Sequence, residues 1–499
     1  MNEAATELLN RLRDIAPNII IKKDATELIS DVDIELLTAY IVKQYKDEKG
    51  LVVLDKNKLS SIIESIKSSK PERVEVLNKS YRAEASEIEA EYKIYNTKDS
   101  YCNATANDFV SYFRSRLFKI RDKILRNNLE IRNELVNINS IDNYASGRTF
   151  VTAGIIRDKR DTKNGNITIT IEDETGSINA IIPMNRGNTE LEKDARYLVN
   201  DEVIAVKGKL ISKDLLLVSN IYFPDTSVKN KRSEDDIYIG FLSDIHVGSK
   251  LFLEKNFRAF LSWLNSKDEN SISGKIKYLV ISGDLVDGIG VYPEQERELS
   301  IADIYLQYRY LFDLLSDVPD YIHIFLAPGN HDAVALAEPQ PPLPEDIIRE
   351  FKNAADNISI LPNPMYISVH KFNLVGYHGA SIDSMIKSIP GLSYDKPAEV
   401  MLQLLRKRHL SPVYGMNPVI PSAEDNLVME IDPDIFHTGH IHKNDFATHK
   451  GSILINSGTW QAKTIYQIKL GHNPTPCNFY AYGLKNNNLV SMDFSGEYR

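Results

Sequence analysis

At 499 residues the chain exceeds one ordinary domain, and two or three domains are expected. Apolar residues at 42% and charged ones at 26% exclude a disordered or collagen-like polymer. A net charge of -10 excludes a uniformly basic nucleic-acid coat but not a local site whose potential is set by bound cations.

In chain order, residues 1–68 carry apolar positions at helical spacing in "EAATELLNRLRD", "DIELLTAYIVKQY" and "KLSSIIESIKS", which predicts a small helical domain. The N-terminus holds acidic residues where a secretory leader would be basic, and no apolar run is long enough to span a bilayer. Cys102 and Cys477 form no CxxC pair. Together these features predict a soluble cytoplasmic protein with no membrane partner. Residues 69–146 are expected to be a linker and a helical segment. Ser69 to Asn96 is rich in Lys, Glu, Arg and Ser, and "DFVSYFRSRLFKIRDKIL" places aromatic and aliphatic residues on one helical stripe.

At about Gly147 β-branched residues and turn signals take over. "RTFVTAGII", "GNITITIED", "GSINAIIPM", "EVIAVKGKLI" and "LLLVSNIYF" read as five strands, with the helix "TELEKDARYL" between the third and fourth. That is the order of an OB-fold barrel over 147–225. The polar tract "TSVKNKRSEDD" (Thr226 to Asp236) reads as an interdomain linker. From residue 237 to 499 buried-type strands alternate with helices, in "IYIGFLSD", "IKYLVISGD", "YIHIFLAPGN", "FNLVGYHG", "DIFHTGH" and "SILINSG", an α/β layered domain. Within it "EPQPPLPED" reads as a Pro-rich surface loop.

Polar residues gather where those strands end. Asp244 and His246 follow the first, Asp284 the second, and Asn330, His331 and Asp332 the third; His378 follows "FNLVGY", and "TGHIH" supplies His440 and His442. Strand ends in layered α/β sheets form the crevice where ligands bind, so these remote positions can converge. Two carboxylates, an amide oxygen and four imidazoles suit borderline divalent ions such as Mn²⁺, Fe²⁺ or Zn²⁺. A pair of ions sharing one carboxylate suits phosphoester hydrolysis. Each short motif alone is better explained as a turn or cap; "GNHD" and "GHIH" in this order at strand ends are not. His323, His370, His409, His437, His449 and His472 match no part of the pattern and read as core or surface residues.

In the order D-x-H, GD, GNHD, H and GHxH the region from about Ile237 onward resembles the calcineurin-like metallophosphoesterases. The resemblance implies a β-sandwich flanked by helices. With the OB-like domain and "GDLVDGIGVYPEQ" it narrows to the small subunits of archaeal family D DNA polymerases. By that resemblance Asp244, His246 and His442 bind one ion, Asn330, His378 and His440 the other, and Asp284 bridges. The ions would be Mn²⁺ first, with Fe²⁺ or Zn²⁺ as alternatives. His331 would stabilise the phosphate or protonate the leaving oxygen, with Asp332 holding its ring and raising its pKa.

The implied activity is a 3′ to 5′ proofreading exonuclease acting on primer 3′ ends, in a heterodimer with the large catalytic subunit. A different calcineurin-like nuclease or phosphatase, and a largely non-catalytic scaffold, stand as alternatives. No nucleotidyl-transfer motif or sliding-clamp box is recognisable. The basic stretches "IRDKRDTKNG" and "LLRKRH" read first as a solvated hairpin and a helix C-terminus, and only second as DNA contacts.

Overall fold

The computed structural model describes residues 8–9, 12, 19–29, 34–45, 52–68, 82–95, 100–184, 187–268, 271–351 and 357–496. The chain divides into two compact units, Met1–Tyr81 and Arg82–Arg499.

In the first unit, β1 (Ile19–Ile21) pairs in parallel with β2 (Val52–Leu54) beside α1 (Ile34–Tyr45) and α2 (Lys56–Ser68). Leu37, Ile41, Leu59, Ile62 and Ile63 enclose Ile19, Ile21, Val52 and Leu54. The expectation of a small helical domain is therefore corrected: two three-residue apolar strands, too short to stand out by period, complete its core. Most of the "EAATELLNRLRD" helix and residues 69–81 lie outside the described residues.

The second unit begins with β3 (Tyr92–Ile94), which pairs antiparallel with Met365–Val369, so this part of the expected linker is an edge strand. α3 (Ala106–Asn127) starts at a capping box of Thr105 and Asp108. Its stripe of Leu117, Ile120 and Ile124 packs on Val151, Ala153, Val203 and Ala205. Those residues belong to a closed barrel of order β4-β5-β6-β8-β7, with β4 (Thr149–Asp161), β5 (Ile167–Asp173), β6 (Gly176–Ile182), β7 (Val203–Ser212) and β8 (Leu215–Tyr222), and α4 (Thr189–Arg196) between β6 and β7. Alternation sets the register: Ile167, Ile169 and Ile171 point inward, and Thr168 and Thr170 do not.

Beyond the barrel come β9 (Tyr238–Leu242), α5 (Glu254–Leu264), β10 (Ile276–Ser282), α6 (Ile304–Leu315), β11 (His323–Ala327), α7 (Glu345–Phe351) and β12 (Ile358–Ile360). β13 (Met365–Val369), β14 (Phe372–Tyr377), α8 (Ser381–Ser388), α9 (Pro397–Lys407), β15 (Ile435–Thr438), β16 (Asp445–His449) and β17 (Ser452–Asn456) follow, then α10 (Ile465–Leu470), β18 (Asn478–Gly483) and β19 (Asn488–Asp493). Two six-stranded sheets result, β12-β11-β10-β9-β18-β19 and β16-β17-β15-β14-β13-β3. Ile239, Phe241, Tyr278, Val280 and Phe325 of the first meet Ile367, Leu374, Ile435 and Ile455 of the second. Helices α5 and α6 cover the outer face of the first sheet, and α8 and α9 that of the second. Strands such as β9, buried along their whole length, accordingly read as unbroken apolar runs.

The barrel is fastened to this sandwich by buried charge. Lys407 meets Glu202 at 2.9 Å and Arg406 meets Asp194 at 2.9 Å. The Arg116 guanidinium reaches Asp425 at 2.7 Å and donates to the Asp201 and Pro412 carbonyls. "LLRKRH" is thus an internal joint rather than a DNA contact. The tract Thr226–Asp236, expected to be a free linker, is tied down as well: Thr226 donates to Asp432 at 2.6 Å, and Lys229 and Lys231 pair with Asp434. Among the described residues no helix is long and apolar enough to cross a membrane.

Candidate metal centre

Five strand ends open at one end of the cleft between the sheets. β9 delivers Asp244 and His246, β10 Asp284, β11 Asn330 and His331, β14 His378, and β15 His440 and His442. The chain must turn sharply to aim these side chains back into the cleft. Asp244, His246, Asp284, His440 and His442 all have positive φ, between 49° and 69°. For residues with a Cβ this left-handed conformation is strained, and such strain persists where the surrounding structure over-determines it. Close backbone approach needs small residues too: a Cβ on Gly329 would lie 2.3 Å from Asp284 Oδ1, and one on Gly439 2.5 Å from Asp244 Oδ2.

Six of the seven predicted donors fall in two clusters, Asp244–His246–His442 and Asp284–His378–His440, and a third cluster joins His246 to Asp287 and His331. In the first, His442 Nε2 lies 3.3 Å from Asp244 Oδ1 and 3.1 Å from His246 Nε2. In the second, His378 Nε2 lies 2.9 Å from Asn330 Oδ1 and 3.3 Å from Asp284 Oδ1. The other oxygen of Asp284 faces the first group, 3.7 Å from His246 Nε2. All seven predicted donors are therefore brought together, with Asp284 between the groups.

The outer ring nitrogens are occupied, which fixes the inward ones. His246 Nδ1 meets Asp287 at 3.1 Å, His378 Nδ1 donates to the Ser282 carbonyl at 3.0 Å, His440 Nε2 meets Asp383 at 3.2 Å, and His442 Nδ1 lies 2.9 Å from the Gln467 amide. Burial opposes charge at each of these groups, but at most of them the neighbours outweigh it. Asp284 is held well below the usual carboxylate range by His378 and His331 despite its burial. Burial lowers His378, yet Asp284 raises it to about 10; His246 reaches about 8 through Asp287 and Asp284. His442 is the exception, lowered by burial. The carboxylates thus attract positive charge to one point. Carboxylate, imidazole and amide oxygen are also the donor chemistry of borderline divalent ions, so the residues fit a pair of such ions.

Asp332 departs from its expected role. Its carboxylate accepts from the Leu285, Val286 and Gly329 N–H groups and from the Tyr308 hydroxyl, bracing the loops after β10 and β11. The His331 ring is held instead by the Asp287 carbonyl, which accepts from Nδ1 at 2.8 Å. Burial lowers the His331 pKa, the opposite of the expected upward shift, and its Nε2 faces the cleft, 3.9 Å from Asp284 Oδ2.

The sequence also hid Asp287, Asp383 and Gln467. Asp287 stands three residues after Asp284 in "GDLVDG", a signal available in the motif but given no role there; Asp383 and Gln467 sit on helices with no motif around them. The Pro-rich loop is another correction. Glu338 and Gln340 are buried, and Gln340 donates to the Gly329 and Ala335 carbonyls beneath the Asn330 turn. The six other histidines join none of the donor groups; His437, for example, is buried between Ser282 and Ser457 and pushed down to about 3 by burial. The hairpin "IRDKRDTKNG" is engaged internally, Arg160 with Asp158 and Lys159 with the Leu198 carbonyl.

The family of DNA polymerase alpha/epsilon B subunits matches residues 239–448, and the OB-fold nucleic acid binding domain family matches 150–214. The DNA polymerase II small subunit of Archaeoglobus fulgidus is 41% identical over 408 residues, 80% of either chain. That of Thermoplasma acidophilum is 36% identical over 465 residues, 90% of this chain and 92% of its own. That of Methanocaldococcus jannaschii is 39% identical over 403 residues, 79% of this chain and 67% of its own. The chain belongs to the small-subunit family of archaeal DNA polymerase II, the family D polymerases.

Proposed function

We propose that this small subunit is a phosphodiesterase of the calcineurin-like type, a 3′ to 5′ exonuclease dependent on two divalent ions, and that it pairs with the polymerase's large catalytic subunit. The observation that supports this most is the convergence of seven donors with the two oxygens of Asp284 facing different groups. Asp244, His246 and His442 would hold one ion, Asn330, His378 and His440 the other, with Asp284 shared; Mn²⁺ suits the set best, with Fe²⁺ or Zn²⁺ as alternatives. Ions bound there supply positive charge to a phosphate and lower the pKa of water.

The chain's own groups do the rest. His331, with Nδ1–H fixed on the Asp287 carbonyl, presents Nε2 to the cleft 3.9 Å from Asp284 Oδ2. From there it takes a proton from water, or carries one to the departing sugar oxygen once a phosphate's negative charge lies beside it. Asp332 keeps the Asn330 and Asp284 loops at a fixed separation through backbone N–H groups of both. The OB barrel offers a surface of the kind used for single strands.

The test is incubation of purified protein with 3′-mismatched primer-template DNA, with and without Mn²⁺, alongside Asp284→Asn. Trimming from the 3′ end by the wild type alone, and only with metal, is expected. No trimming, or equal trimming by both proteins, overturns the reading.

A further inference from the structure

The rim of the cleft carries a patch the reaction above does not use. α10 is six residues long, yet Ile465, Tyr466 and Ile468 are 60%, 71% and 59% exposed. Three large apolar side chains exposed on one short helix are unusual on a surface with no ligand to cover them. The helix is nonetheless well fixed. Thr464 and Gln467 form a capping box, and the Gln467 amide also meets His442 Nδ1 at 2.9 Å. Its other contact leads to the second donor group: Tyr466 lies within electrostatic range of Tyr394, whose hydroxyl bonds Asp383, the partner of His440. The His472 ring, just after the helix, lies against Tyr394 with centroids 4.2 Å apart and planes tilted by 33°. Lys463, whose Nζ donates to Asn473 Oδ1 at 2.9 Å, precedes the helix, and the exposed Lys469 stands one turn beyond Ile465 and Tyr466.

We propose that this face of α10 is a stacking platform for the unpaired terminal bases of a DNA strand whose 3′ end lies in the cleft. The inference rests on the exonuclease reading and deepens it. The occupant must be flat and apolar in one part and anionic in another, because the aromatic and aliphatic residues lie between Lys463 and Lys469 in the chain. A nucleotide is both, and stacking on an aromatic ring accepts any base, as removal of a mispaired terminus requires. A protein segment docked here would instead cover the mouth that the substrate must enter.

The experiment uses the full chain with Mn²⁺ and two single-stranded oligonucleotides, one ordinary and one with tetrahydrofuran abasic residues at its last two 3′ positions. Tyr466→Ala is expected to lower kcat/KM on the ordinary strand about ten-fold, mainly through KM. The loss on the abasic strand should be several-fold smaller, Tyr466→Phe should restore the ordinary strand, and Mn²⁺ affinity should match the wild type. Equal losses on the two strands, or none on the ordinary one, overturn the platform, as does release of the large subunit from the purified complex by Tyr466→Ala. If the wild type cleaves neither strand, the exonuclease reading fails separately. The platform is then decided by binding: quenching of 2-aminopurine at the 3′ terminus that is lost in Tyr466→Ala supports it, and its absence in the wild type overturns it.

Discussion

Replacing Gly439 by Ala removes no donor atom, so it isolates geometry from chemistry. A Cβ at this position would stand 2.5 Å from Asp244 Oδ2 and 2.5 Å from both Cβ and Oγ of Ser243, where ordinary contact begins at 3.4 Å. Asp244 cannot yield freely, because the His440 N–H donates to the same oxygen at 2.9 Å and the Gly439 N–H is fixed on the His378 carbonyl at 2.8 Å. Relief therefore needs a shift of about 0.9 Å of the Asp244 carboxylate or of the turn that carries His440. A misplacement on the order of 1 Å costs about 10²-fold in rate, and overpacking costs about 1–3 kcal/mol of stability. Gly439→Ala is expected to trim a labelled primer about 100-fold more slowly with Mn²⁺, while a thermal melt shows a modestly lowered but cooperative transition. Gly496→Ala, whose added Cβ meets nothing within 4 Å, is the control. Trimming by Gly439→Ala within two-fold of the wild type would refute the claim that close approach at this glycine positions Asp244.

Asp284→Asn should abolish trimming and weaken Mn²⁺ binding in calorimetry with the fold intact; undiminished activity would remove the shared-ligand role. His331→Ala should keep its metals by elemental analysis but lose about 10² to 10⁴-fold in turnover. Loss of metal in that variant would make His331 a ligand instead. Arg116→Met takes the guanidinium from buried Asp425 and leaves it the His409 ring, so urea unfolding should show a cost of about 3–5 kcal/mol. Acid should act on the same joint. Burial would raise Asp425, but His409 and Arg116 hold it far below an ordinary carboxyl. A depressed folded pKa gives stability that is present above the unfolded value of about 3.9 and lost as pH falls through and below it. The urea midpoint should therefore drop from about pH 5 downward, and drop less steeply in Asp425→Asn; identical slopes would place the acid sensitivity elsewhere.

The sequence revealed what has a strong period or a rare motif. The five barrel strands and the strands that carry donors are apolar runs cut off by turn residues, and the donors stand just past each cut. Less was visible where partners lie far away in the chain. β3, only "YKI" in a charged tract, is a strand because Met365–Val369 supplies its hydrogen bonds from across the unit. β16 alternates half-buried and exposed residues at a sheet edge and has little apolar signal. The Asp332 assignment failed because adjacency in "NHD" suggested contact, whereas the turn sends His331 to the Asp287 carbonyl and Asp332 to N–H groups of two loops. Glu338 and Gln340 carried the composition of a surface loop and became buried, Gln340 beneath the Asn330 turn and Glu338 on the Tyr377 hydroxyl.

The left-handed backbone at Asp244, His246, Asp284, His440 and His442 bears on how this protein can drift under mutation. At about 1–2 kcal/mol for each such residue, five together approach the whole net stability of a typical domain, about 5–15 kcal/mol. The rest of the sandwich must be correspondingly over-built. Glycine or asparagine adopts the same turn with less strain, so a descendant with no need of this donor set would become more robust by discarding these side chains one at a time. Thermostabilising screens run without an activity filter should return substitutions at these five positions first, and each would be a step toward an inert scaffold.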